Sequence, residues 1–170
     1  SRAVRLHEWL QWTAHEQWSR VREAAAKRGV LLFGDLTFGI ARESSDVWSR
    51  QDDFDFSANM GAPPDKYSET GQDWGLPAYR WARMEEGGHA WWRRRLAQAG
   101  ALYDLYRLDH AIGFFRTWQV RGGKGKDRFD LPTDAEARER GRRFFAMAKD
   151  AGAPAAPVAE DLGVVPEYMP

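Results

Sequence analysis

Apolar residues recur at helical spacing from the start of the chain. Leu6, Leu10, Ala14, Val21, Ala24 and Ala25 fall on one stripe, which predicts an amphipathic helix with Gly29 as its stop. A short apolar run from Val30 to Phe33 follows, ahead of Gly34 and Asp35, and predicts a buried parallel strand. From about Leu36 to Glu86 the chain is rich in Ser, Asp, Pro, Gly and Trp. Without a clear period, that segment predicts a long binding loop or lid. The pattern then predicts a helix from about Gly88 to Leu102 and a strand over "DLYRLD". A further helix over "TDAEARERGRRFFAMAKDAG" has Thr133 or Asp134 as its N-cap and Gly152 past its end. A third strand lies over "APVAEDLG", and "AGAPAAP" from Ala151 to Pro157 is the connection into it. Helix and strand alternate, which predicts an α/β fold with parallel strands and right-handed crossovers.

Composition narrows the class further. The chain has 170 residues, enough for one ordinary domain, with 25 basic and 25 acidic side chains. That balance gives no electrostatic case for a nucleic acid or an anionic membrane partner. No apolar run is long enough to span a bilayer. Cysteine is absent, so there is neither a disulfide framework nor a thiolate site, and a reducing cytoplasm is the simplest compartment. The opening "SRAVRLHEWL" has no initiator Met and no signal-peptide profile, and reads as a helix already under way. His7, His15, His89 and His110 lack paired ligand spacing, so no metal or other cofactor is expected.

Each predicted strand runs into an acid: Asp35 after "LLFG", Asp109 after "LYRL" and Glu160 after "PVA". In parallel α/β folds the carboxyl ends of strands carry the active site. Any one of these acids also fits a turn cap; three at equivalent ends favour a shared site. Arg107 and Asp109 are two apart and share a strand face, so the guanidinium would keep Asp109 ionised, as a nucleophile needs. Val158 and Ala159 give Glu160 apolar neighbours, a setting that suits a proton donor, although a solvent-facing acid beside Asp161 reads equally well. An ionised Asp with a protonated carboxylic acid is the pair that retaining glycoside chemistry uses. The segment from Gly61 to Trp81 adds aromatic faces and polar edges suited to sugar rings, with Asp65, Tyr67, Gln72 and Trp74 as ligand contacts. Tyr79 and Trp81 read as packing residues. "RGGKGKD", Arg121 to Asp127, has phosphate-cradle composition, but Asp127 stands where a P-loop needs Ser or Thr and "GFFRTWQV" precedes it; a solvated basic loop fits better.

Taken in order, "FGDLTF", "SSDVW", "GAPPDKYSETGQDWGLPAYRW", "YRLDHAIGFFRTW" and "VAEDLGVVP" resemble the 4-α-glucanotransferases, the amylomaltase or disproportionating-enzyme family, from about Trp9 to Pro166. The resemblance implies a partial TIM (β/α)8 barrel, roughly strands three to five with their helices and a long lid loop, with residues 1–170 forming one segment of a catalytic domain. It implies retaining transfer between α-1,4-glucans or maltooligosaccharides. In that resemblance Asp109 is the nucleophile and Glu160 the general acid/base. Arg107 orients Asp109, His110 donates to the sugar, Asp35 supports the site and the "PPDKYSETGQDWG" loop is the lid. The family usually carries Pro where this chain has Thr37, and it has a third catalytic Asp on a later strand that these residues do not include. The remaining strands are therefore expected from a longer parent chain. The 170 residues alone are expected to be inactive, and a non-catalytic glucan-binding fragment or an α-glucan hydrolase is the rival reading.

Overall fold

The computed structural model describes residues 1–66, 68–122, 126–162 and 165–169. Its helices are α1 (Arg2–Ala26), α2 (Ser45–Ser49), α3 (Trp81–Glu86), α4 (Ala90–Leu102) and α5 (Asp134–Ala151). Its strands are β1 (Phe33–Leu36), β2 (Phe54–Ala62), β3 (Gln72–Tyr79), β4 (Leu105–Leu108), β5 (Trp118–Val120), β6 (Arg128–Phe129) and β7 (Ala156–Ala159).

The predicted alternation of helix and strand builds a three-stranded parallel sheet in the order β1-β4-β7. α5 begins at a complete capping box, in which the Thr133 hydroxyl accepts from the Glu136 N–H and the Glu136 carboxylate accepts from the Thr133 N–H. Gly152 follows the helix as expected. It also sits where a side chain could not, because a Cβ there would come within 2.0 Å of the Tyr106 hydroxyl.

The first strand differs from its prediction. It starts at Phe33 rather than Val30, so Asp35 is its third residue, paired across from Arg107, and not a cap beyond its end. Nor is the apolar run buried, since Leu31 and Phe33 are 67% and 60% exposed. Register explains why. Phe33, Leu105 and Ala156 stand on one face of the sheet, followed by Asp35, Arg107 and Val158, while Gly34, Tyr106, Leu36 and Leu108 occupy the other. Tyr106 and Leu108 are fully buried with Leu96, Ala99, Met147 and Ala148 from α4 and α5. The first face carries the polar cluster and an open apolar row.

The segment from Leu36 to Glu86 is not a long loop. It folds into α2, the β2–β3 hairpin and α3, and the hairpin joins β5 and β6 in a second, antiparallel sheet ordered β3-β2-β5-β6. The alternation was present in "FDFSANM": Phe54, Ala58 and Met60 are buried, and a register irregularity after Asp55 leaves Phe56 exposed. Only the short connection between Ala62 and Gln72 is left as a lid candidate.

Both sheets contribute to one core. Its centre is aromatic, with Phe114 and Phe144 stacked at 4.1 Å between centroids and Trp92 and Phe38 each 5.0 Å from Phe114. Tyr79 and Trp81 belong to it, as packing residues. α1 is different, with no buried residue. It touches the rest through Trp18, whose indole N–H donates to Leu102 O at 2.8 Å and whose ring lies 5.7 Å from Tyr103, and through Arg22, which donates to Ala101 O and lies 3.4 Å from Asp104 Oδ1. His7 and His15 lie on its exposed surface. No described helix is long and apolar enough to cross a membrane.

Candidate active site

Parallel pairing in register carries Asp35, Arg107 and the residues just past β4 and β7 toward one end of the sheet. Arg107 is the hub. Its Nη1 lies 3.3 Å from Asp35 Oδ2, its Nη2 bonds to Asp109 Oδ1, and the same Nη2 lies 3.3 Å from Glu160 Oε2. Burial opposes its charge, but the carboxylates of Glu160, Asp35 and Asp109 outweigh that and hold the guanidinium above its ordinary range. All three predicted acids therefore meet, on one cation.

Asp109 is held at three points. Its backbone N–H donates to Leu36 O at 3.2 Å, its Oδ1 takes the bond from Arg107, and its Oδ2 accepts from the Phe38 N–H at 3.2 Å. Glu160 continues the pairing, with its N–H on Leu108 O at 3.1 Å. Its carboxylate does not sit in the apolar setting predicted from Val158 and Ala159. Val158 shares its strand face with Arg107, and Oε2 accepts from the His110 N–H at 2.5 Å beside that guanidinium. Both carboxylates reach the same guanidinium nitrogen, so their nearest oxygens are held close across two adjacent parallel strands.

His110 makes this turn in the left-handed region, with φ of 46°, uncommon for a side chain larger than Gly. The conformation aims its N–H at Glu160 and its ring between Trp74, 4.7 Å away edge-on, and Phe38, 5.3 Å away. Burial keeps its imidazole below the usual pKa, against the pull of Asp109 and Glu160. A neutral ring has one N–H to give and one nitrogen to accept.

Trp74 links the hairpin to the cluster. It is partly buried against the core, and its indole N–H donates to Gln72 Oε1 at 3.0 Å. Asp65 shapes the lid connection, where its Oδ1 accepts from the Ser68 N–H at 2.8 Å. Tyr67 lies outside the described residues, as do 123–125 of the basic loop. A strand, β5, does precede that loop, but it leads into β6 and not into a helix, so the phosphate-cradle context is missing. Arg121 there is tied to Asp55 at 3.2 Å. Among the described residues no group of three His, Cys, Asp or Glu could hold a metal ion. Two contributors escaped sequence reading, the Phe38 and His110 N–H donors, because a backbone group has no residue-type signal.

Gly113 is where the site touches the core. A Cβ there would meet Phe38 Cζ at 2.5 Å and His110 Cδ2 at 2.8 Å. Gly113→Ala should cost about 1–3 kcal/mol through forced repacking, read as a lowered denaturation midpoint, and should displace the ring beside the cluster.

The chain is 37% identical to a 4-alpha-glucanotransferase of Chlamydia pneumoniae over 164 residues, covering 96% of this chain and 31% of that protein. Among solved structures it superposes on amylomaltase from Streptococcus agalactiae in complex with acarbose, with a TM-score of 0.75 and 29% identity over 90% of this chain and 31% of that one. Amylomaltase from Corynebacterium glutamicum gives a TM-score of 0.77 and 27% identity over 95% of this chain and 23% of that one. The chain thus spans about a third or less of the proteins it matches. The model of the 4-alpha-glucanotransferase family matches residues 1–170 throughout, and the chain belongs to that family.

Proposed function

We propose that the protein carrying this chain transfers α-1,4-glucan segments between maltooligosaccharides by a retaining double displacement. The observation that carries this reading is the convergence of Asp35, Asp109 and Glu160 on Arg107 at one end of a parallel sheet. Asp109 Oδ attacks the anomeric carbon while Glu160 gives its proton to the leaving O4, and the glycosidic C–O bond breaks. The departing glucan is replaced by an acceptor. Glu160 takes the proton of the acceptor's 4-hydroxyl, whose oxygen displaces Asp109 from the anomeric carbon. Two inversions give net retention. Arg107 orients the nucleophile, Asp35 shares that guanidinium, and His110 faces the sugar in the reacting subsite. Trp74 offers a flat face and Gln72 an amide edge, with Asp65 and Tyr67 in the lid. The parallel sheet corresponds to strands three to five of a (β/α)8 barrel, with the β2–β3 half of the antiparallel sheet inserted between its first and second strands and the β5–β6 half between its second and third. The rest of the barrel supplies a further, catalytic Asp and the remaining subsites.

The closeness of the two carboxylates supports the retaining course, which works at a separation of about 5–5.5 Å. Glu160→Ala in the full-length protein should lower maltotriose disproportionation by about 10²–10⁴-fold. α-Maltosyl fluoride, whose leaving group needs no proton, should restore the first step, and azide should then yield an α-maltosyl azide. A Glu160→Ala protein that disproportionates maltotriose normally would sink the assignment. Product analysis separates the rival hydrolase: transfer gives glucose with longer oligosaccharides, hydrolysis gives glucose with maltose alone.

A further inference from the structure

The Thr37 C=O and the Phe38 N–H are two ends of one peptide group. The N–H end donates to Asp109 Oδ2 at 3.2 Å. The C=O end accepts from Arg95 Nη2, on α4, at 2.9 Å, and the same nitrogen lies 3.2 Å from Thr37 Oγ1. A planar trans peptide points its two ends in opposite directions, oxygen negative and hydrogen positive. Here a cation sits on the negative end and a carboxylate on the positive end. We propose that Arg95 is a positioning residue for Asp109, acting through the Thr37–Phe38 peptide group.

Each part of this relay is held independently. The Arg95 guanidinium lies over the rings of Trp91 and Trp92, at 4.9 and 4.7 Å from their centroids. Its Nη1 is buried without a hydrogen-bond partner among the described residues, so Nη2 on Thr37 is the side chain's main polar engagement. The Tyr79 hydroxyl donates to Phe38 O on the following peptide, and the Phe38 ring is fully buried. Thr37 and Phe38 are thus clamped from α4 on one side and β3 on the other. Chained hydrogen bonds polarise one another by roughly 10–30% per bond, so a fixed cation on the carbonyl strengthens the N–H bond to Asp109.

The chemical consequence concerns both oxygens of the nucleophile. Arg107 holds Oδ1 and the peptide holds Oδ2, and the carboxylate plane is fixed only when both donors are present. The charged and titratable groups around Asp109 are Arg107 from its own strand, Glu160 and Asp35 through that guanidinium, and the His110 ring. Around Arg95 they are Tyr79 and Asp46, both favouring its charge against burial. An arginine stays protonated across the working range. Removing it weakens a donor to an ionised carboxylate, which raises the pH at which Asp109 ionises.

The kinetic half of this inference rests on the glucan-transfer reading; the titration half does not. In the full-length protein with ¹³C-labelled Asp, the Asp109 signal is assigned by its loss in Asp109→Asn and titrated without glucan. In Arg95→Gln its midpoint should move up by about half a pH unit or more. The acid limb of kcat/KM for maltotriose should move by the same amount, with kcat down about tenfold and KM within about twofold. Arg95→Lys keeps the cation and should recover most of the shift. A wild-type titration supplies a measurement free of folding effects: the Phe38 amide and Arg95 Nε–H signals should follow the Asp109 midpoint. Arg95 signals indifferent to that midpoint, or an Arg95→Gln protein with unchanged Asp109 titration and acid limb, would overturn the relay. A protein that shows the titration shift but transfers no glucan would keep the relay and reject the glucan reading.

Discussion

Asp109→Asn in the full-length protein should release glucose from maltotriose about 10⁶-fold more slowly than wild type, the order of loss seen when a covalent nucleophile is removed. The substitution is nearly isosteric. It leaves an atom to accept from the Phe38 N–H and keeps the backbone bond to Leu36 O, so the fold should survive. What it removes is the charge and nucleophilicity of an oxygen that Arg107 holds in place. With the amide, no glycosyl ester can form, and Glu160 has only direct displacement by an acceptor to assist. The loss should fall on kcat, because the Trp74 and His110 side chains proposed to contact the sugar are untouched. A 2-fluoro maltosyl fluoride should label the wild-type peptide containing Asp109 and leave the variant unlabelled. Disproportionation by Asp109→Asn within about tenfold of wild type would remove Asp109 from the chemistry.

The second large effect concerns the 170 residues alone. They are expected to release no glucose from maltotriose and to run as oligomers or aggregates in size exclusion. β1 and β7 each have one neighbour in the described sheet, leaving unpaired N–H and C=O groups along both outer edges. The face bearing the carboxylate cluster also exposes Phe33 and Val158, at 60% and 44%. In a closed barrel that face would be interior and those edges paired. Three strands supply three of the cluster's acids but no opposite wall for the sugar. Glucose release by the isolated chain within about tenfold of the full-length protein would refute this and require another catalytic set.

Legibility in the sequence divided along physical lines. α4, α5, β4 and β7 stood out because each has a period, a cap or a stop that acts locally, such as Thr133 with Glu136 or the alternation through "LYRL". The Arg107–Asp109 ion pair followed from two-residue spacing alone. β1 was displaced by three residues because an apolar run marks burial only when its strand has both faces covered, and Leu31 and Phe33 are not covered here. The hairpin was hidden by composition: Ser, Asn, Asp and Gly between Phe54 and Ala62 masked a real alternation, and pairing with β5 comes from far along the chain. The surroundings of Glu160 were not legible because its polar partners, His110 and Arg107, come from the neighbouring strand and not from its own. Backbone donors such as the Phe38 N–H had nothing to announce them.

The spacing of the site's cross-links bears on when the site can form. Asp35 and Arg107 are 72 residues apart, Phe38 and Asp109 are 71 apart, and His110 and Glu160 are 50 apart. The β2–β3 hairpin, by contrast, closes over a short connection and lies wholly within the crossover from β1 to β4. Loop-closure entropy grows with the separation bridged and must be met before a distant contact repays it. Local closure of the hairpin draws the ends of β1 and β4 together and shortens the effective chain between Asp35 and Arg107. The hairpin is then a folding aid, and the carboxylate cluster is among the last features to assemble. In a refolding experiment, amide protection at Phe54 to Ala62 should precede protection at Phe38 and His110.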